Sequence, residues 1–132
     1  MVQVLEGSVD VLQVEVRPGD LVIAATDGVT DNLFDHRLQE LLVAELARLT
    51  GPSAPACAEA LQEVAELLAR EAVEVGGKQD DRRTVTPFSI HAGMEGYDAP
   101  GGKLDDVAVV VAAVREGAAA DHADAHLSLI HI

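Results

Sequence analysis

Acidic residues flank two apolar stretches of this chain: Asp27 follows Leu21–Ala25, and Asp105 and Asp106 precede Val107–Val114. If these stretches are antiparallel neighbours in one sheet, the end of the first meets the start of the second and the carboxylates converge. Carboxylates gathered over apolar strands repel one another and raise their own pKa values unless a cation neutralises them. A hard divalent ion is the simplest such cation, because oxygen ligands without His or Cys favour magnesium, manganese or calcium over zinc or copper. Gly28 lets the chain turn sharply beside the ion, and Asp31, four residues past Asp27, can point back to the same cavity. Spacing alone leaves a second reading open. Asp-Gly is a common turn dipeptide, and an Asp-Asp pair ahead of a strand is often simply solvated.

The elements that must position these residues follow from the hydrophobic pattern. Val9, Val11, Val14 and Val16 alternate imperfectly, and Arg17-Pro18-Gly19-Asp20 supplies a turn, which together predict a hairpin. Leu21–Ala25 is too short for a helix and reads as a strand buried on both faces. From Asp35, a natural N-cap, Leu38, Leu41, Leu42, Leu46 and Leu49 recur at helical spacing. Thr50–Pro55 breaks that helix. Cys57, Leu61, Val64, Ala65, Leu68 and Ala72 form a second stripe ending near Gly76-Gly77, so an antiparallel helix pair is expected, with Cys57 a small buried hydrophobe. Residues 78–104 lack a sustained period and read as a long loop that carries function or short local structure. Val107–Val114 returns as a second buried strand, and residues 116–132 read as a tail outside the fold, including His122 and His126, which could share a metal if helical.

Composition bounds the rest. The 132 residues have room for one core, and 48% hydrophobic against 24% charged residues suit a folded chain rather than a disordered one. A net charge of −14 opposes nucleic acid and anionic membrane surfaces, so neither is an expected partner. No apolar run reaches the roughly 20 residues of a membrane span. No targeting segment is legible, and the lone Cys57 forms no disulfide within the chain, which points to an intracellular protein of the cytosol or an organelle matrix.

The sequence GGKxDD occurs twice, at Gly76–Asp81 and Gly101–Asp106, but only the second copy leads into a strand. Asp80-Asp81-Arg82-Arg83 in the first reads as a self-neutralising solvated loop. Neither copy is a phosphate loop: Ala72 and Tyr97 stand where the motif needs its first Gly, and Gln79 and Leu104 replace its Ser/Thr.

Gly19–Asn32, reading GDLVIAATDGVTDN, resembles the Gly-Asp, apolar strand, Thr-Asp-Gly-x-x-Asp motif of the metal-dependent protein phosphatases (PPM family, type 2C). Gly101–Val111 is similar to that family's closing strand motif, in which Asp is followed by Asp or Asn and an apolar strand. Thr86-Pro87-Phe88-Ser89 ahead of GGKLDD is similar to the mitochondrial and plastid branch, whose members carry SPF and then GGKPDD. The resemblance implies an α+β fold for residues 1–115, the C-terminal part of a four-layer α-β-β-α sandwich with antiparallel sheets and an antiparallel helix pair. It implies that Asp27 and Asp105 are ligands of a two-ion Mg2+ or Mn2+ centre, with Asp31 at a third, weaker site, Gly28 structural and Asp106 in a supporting position. The implied reaction is hydrolysis of phosphoserine or phosphothreonine in a phosphoprotein substrate by a metal-activated water.

The chain departs from that pattern in having no DGxGG segment and no upstream acidic ligand or phosphate-gripping arginine. It is therefore expected to need the missing N-terminal portion of the same domain and to be inactive alone. The alternative is a non-catalytic acidic protein-binding module or a pseudophosphatase remnant.

Overall fold

Val109 and Val111 are fully buried and alternate with half-buried Ala108, Val110 and Ala112, the period-two signature of a strand packed on one face. A computed structural model describes residues 12–50, 57–117 and 127–131. Its elements are β1 (Leu21–Ala25), α1 (Asp27–Thr30), α2 (Asp35–Thr50), α3 (Ala58–Gly76), α4 (Pro87–Met94), β2 (Ala108–Ala113) and β3 (Leu127–His131). The protein is thus α+β. The strands form one antiparallel sheet in the order β1-β2-β3, with Ala25 opposite Val109 and Leu21 opposite Ala113.

The apolar stripe of α3 (Leu61, Val64, Ala65, Leu68, Ala72) is buried against the sheet and joins Val29, Leu33, Val107, Val109 and Val111 in the core. Leu38, Leu41, Leu42, Leu46 and Leu49 of α2 pack against it, half-buried. Arg37, early in α2, pairs with Glu71, late in α3, at 2.6 Å, whereas Arg48 near the end of α2 pairs with Glu63 near the start of α3 at 2.8 Å. The two helices therefore run antiparallel, as their spacing predicts.

Several expectations are corrected. Residues 12–16 form no strand, and Leu12, Val14 and Val16 are exposed, so the hairpin is absent among the described residues; Val9 and Val11 lie outside them. The turn at Arg17–Asp20 instead joins β2 at its far end, through Gly19 N–H to Val114 O and Val114 N–H to Asp20 O. Strand β1 is not buried on both faces. Leu21 and Ile23 face the helices with Val111 and Ala113, but Val22 and Ala24 point the other way and Val22 is 47% exposed, because no element described here covers that side. Cys57 is exposed at the N-cap of α3 rather than buried on its stripe. Residues 127–131, placed by the sequence in a tail outside the fold, pair with β2 as β3, Ala108 opposite His131. His122 and His126 lie outside the described residues.

The stretch 78–104 holds α4, which has no buried stripe and is started instead by its cap. The Thr86 hydroxyl accepts from Ser89 N–H at 3.0 Å, and the Ser89 hydroxyl accepts from Thr86 N–H at 3.0 Å, with Pro87 at the first helical position. Thr86, fully buried, also donates to Gly101 O at 2.7 Å, fastening α4 to the second GGK segment. Asp80–Arg83 does not neutralise itself. Asp81 accepts from Thr84 and from Arg83 N–H, and Arg82 reaches Asp98 at 2.6 Å.

Candidate metal centre

Antiparallel pairing of β1 and β2 sets the end of one beside the start of the other, and the chain turns directly into α1. The single turn of α1 places Asp27 and Asp31 on the same side, four residues apart. Asp105 arrives from the segment entering β2. Carboxylate oxygens of Asp27, Asp31 and Asp105 lie within 4.8 Å of one another, the one such acidic group among the described residues. Asp27 is the most exposed of the three, and Asp31 and Asp105 are about a third exposed.

Close backbone packing fixes this arrangement. A Cβ on Gly28 would strike Asp106 O, so glycine is required for α1 to press against the start of β2. Thr26 ties the same junction, donating to Asp106 O at 3.2 Å and accepting from Ala108 N–H at 3.0 Å. Asp106 thus supports the site through its backbone, and its N–H also donates to Asp105 Oδ1 at 2.9 Å. Its carboxylate is not in the acidic group.

Two residues that the sequence reading gave no role complete the geometry. Asn32, 4% exposed, donates to Gly28 O at 2.9 Å and Lys103 O at 2.8 Å, and accepts from Lys103 N–H at 2.8 Å. It clamps α1 to the GGKLDD segment. Lys103 then extends its ammonium among the carboxylates, 2.8 Å from Asp31, 3.3 Å from Asp105 and 3.9 Å from Asp27, with the Phe88 ring centroid 5.9 Å away. The signal available in sequence was a lysine two residues before an expected ligand.

Electrostatics follow from these contacts. The Asp31 and then the Asp105 carboxylate raise the Lys103 ammonium above its ordinary pKa, against desolvation. The Asp106 N–H, and after it Lys103, hold the Asp105 carboxyl below the ordinary carboxylate value. Mutual repulsion was expected to push the clustered acids upward; for Asp105 a hydrogen bond and the built-in cation reverse that direction.

The donor set fits a hard divalent ion. Three oxygens within 4.8 Å of one another can share an ion that binds oxygen at about 2.0–2.6 Å. A groove of about 420 Å³ opens beside Asp31, lined by Phe88, His91 and Tyr97 among others. No helix among the described residues is long and apolar enough to cross a membrane.

No protein-family model matches the chain, and no solved structure does. Curated relatives do. Probable protein phosphatase 2C 62 of Arabidopsis thaliana is 38% identical over 107 residues, 80% of this chain and 13% of that protein. Probable protein phosphatase 2C 55 of the same plant is 36% identical over 110 residues, 83% of this chain and 21% of that protein. Probable protein phosphatase 2C 71 of Oryza sativa subsp. japonica is 36% identical over 104 residues, 78% of this chain and 20% of that protein. The chain thus spans about a fifth or less of the length of these relatives. With such similarity running through some four-fifths of its residues, and an acidic group able to bind metal where β1 meets β2, the chain belongs to the metal-dependent protein phosphatase family, type 2C.

Proposed function

We propose that this chain supplies one side of the metal centre of a protein serine/threonine phosphatase, with Asp27, Asp105 and Asp31 as ligands to Mg2+ or Mn2+. The observation that carries the reading is the convergence of these three carboxylates from the two ends of the paired strands β1 and β2. Bound there, two such ions, with a third at Asp31, would lower the pKa of a bound water toward neutrality, supplying a hydroxide nucleophile, and offset phosphoryl charge, the chemistry of phosphoserine and phosphothreonine hydrolysis.

The chain's own residues do the positioning. Gly28 and the Asp106 backbone hold α1 against β2, so that Asp27 and Asp105 open on the same side. Asn32 fixes the spacing between Asp31 and the GGKLDD segment. The groove along α4 beside Asp31 is suited to the peptide that carries the phosphate, since it is walled by Phe88, Ala92 and Tyr97. The remaining ligands and a phosphate-gripping cation belong to parts of the domain that this chain does not contain, and alone it turns over slowly or not at all. The outward face of β1, where Val22 and Ala24 are exposed, supports a second sheet packed there in the complete domain, giving the four-layer sandwich.

The test is a Mn2+-dependent assay on a phosphothreonine peptide, using a protein that extends this chain to the length of its relatives. Asp27→Asn and Asp105→Asn should each lower turnover by more than about tenfold. Unchanged turnover in both would refute the assignment.

A further inference from the structure

Lys103 holds a position that a metal ion would need. Its ammonium is 2.8, 3.3 and 3.9 Å from the three carboxylates of the cluster. Those carboxylates lie within 4.8 Å of one another, so an ion bound to all three would sit within a few ångströms of the ammonium. Two cations that close, in a site only partly open to water, repel strongly. The backbone cannot move aside to separate them. Asn32 grips both the N–H and the C=O of Lys103 at 2.8 Å, and Gly76 packs against the same carbonyl, so only the side chain is free to leave. The Phe88 ring, 5.9 Å from the ammonium in its present place, offers a face that attracts cations beside the path the side chain would take.

We propose that Lys103 is a tethered counter-cation: it neutralises the acidic cluster in the metal-free protein and must withdraw before a divalent ion binds, so that metal affinity is set by competition with it. The inference rests on the reading of the cluster as a metal centre. A site that is competent in only a fraction of molecules has its apparent affinity lowered by that fraction. If the ammonium is in place in about nine molecules of ten, removing it tightens binding about tenfold.

The experiment titrates the full chain with Mn2+, followed by water-proton relaxation, and measures thermal unfolding with and without the ion; no phosphoester is present. Lys103→Met is compared with Lys78→Met, which removes the same charge from a lysine paired to Glu74 and outside the cluster. Lys103→Met should bind Mn2+ at least about threefold tighter than both the parent and Lys78→Met, and should melt lower than the parent without metal, the gap narrowing as Mn2+ saturates. Lys103→Gln gives the same readout if the methionine variant does not fold. Binding equal to that of the parent, or a melting gap indifferent to Mn2+, overturns this inference and leaves the metal reading standing. Absence of saturable binding in every protein, the one extended to the length of the relatives included, overturns both.

Discussion

Asn32→Ala isolates the clamp between the two acidic segments. Asn32 is 4% exposed and makes three hydrogen bonds, to Gly28 O, to Lys103 O and from Lys103 N–H. Each is worth about 1 kcal/mol net, and truncation leaves a buried N–H and two carbonyls without their partner, so the expected loss is about 3 kcal/mol. Only the carboxamide is removed, which keeps any added cavity cost minor. Urea unfolding of the full chain reads this as a lower midpoint at unchanged slope. Asn32→Asp sharpens the test. It keeps the size and the acceptor for Lys103 N–H but faces two carbonyl oxygens with an anion, so it should destabilise at least as much as alanine at neutral pH. A loss below about 1 kcal/mol for Asn32→Ala, or an aspartate variant as stable as the parent, would show that the clamp contributes little and that α1 and the GGKLDD segment are held by the surrounding core instead.

Gly102→Ala should destabilise by about 2–3 kcal/mol, because a Cβ there would strike Val75 O and come within 2.7 Å of Gly76 Cα, both backbone atoms that cannot rotate away. Gly93→Ala, in α4 with nothing within 4 Å of its Cβ position, should leave chemical stability unchanged or raised, and similar losses in the two variants would refute the packing argument. Asp81 is held below its ordinary value of 3.8 chiefly by the Thr84 hydroxyl and then by Arg83 N–H. A depressed folded pKa contributes stability that is present above the unfolded value and is lost as pH falls through the folded one. The advantage of the parent over Asp81→Asn should therefore fade as pH falls below about 4, and a carboxyl carbon NMR titration of Asp81 with its midpoint at or above 3.8 would contradict the assigned bonds.

The helices α2 and α3 were legible because local period reports which side of an element is apolar, as Leu61, Val64 and Leu68 do in α3, whereas β1 and β2 were legible as short, uninterrupted apolar runs. The meeting of Asp27 with Asp105 followed from the antiparallel pairing expected of the two strands, and that of Asp31 from its four-residue spacing to Asp27. Burial of the second face of β1 was not legible, since Val22 looks the same in sequence whether or not another layer lies over it. Helix α4 escaped because it buries no stripe and owes its start to the Thr86–Ser89 capping box, a signal four residues long. The roles of Asn32 and Lys103 depend on partners some seventy positions away, and a lysine ahead of two aspartates reads in isolation as one more solvated charge.

The repeated GGKxDD shows how far composition can mislead about role. The first copy is neither a second site nor a coincidence without consequence, because the two copies lie against each other. Gln79 bridges Gly101, Gly102 N–H donates to Lys78 O at 3.0 Å, and Asp80 N–H donates to Pro100 O at 3.1 Å. Gly76 admits the Lys103 carbonyl, and Gly102 admits the Val75 carbonyl. Gly101 has φ +86°, and a Cβ there would collide with Lys78 O. Backbone can approach backbone this closely only where both strips lack side chains, so the glycines at the end of α3 form the bed on which the second copy is laid. That bed sets the height at which Lys103 and Asp105 leave the surface of α3. The geometry of the acidic cluster is therefore fixed as much by Gly76, which carries no chemistry, as by the carboxylates that do.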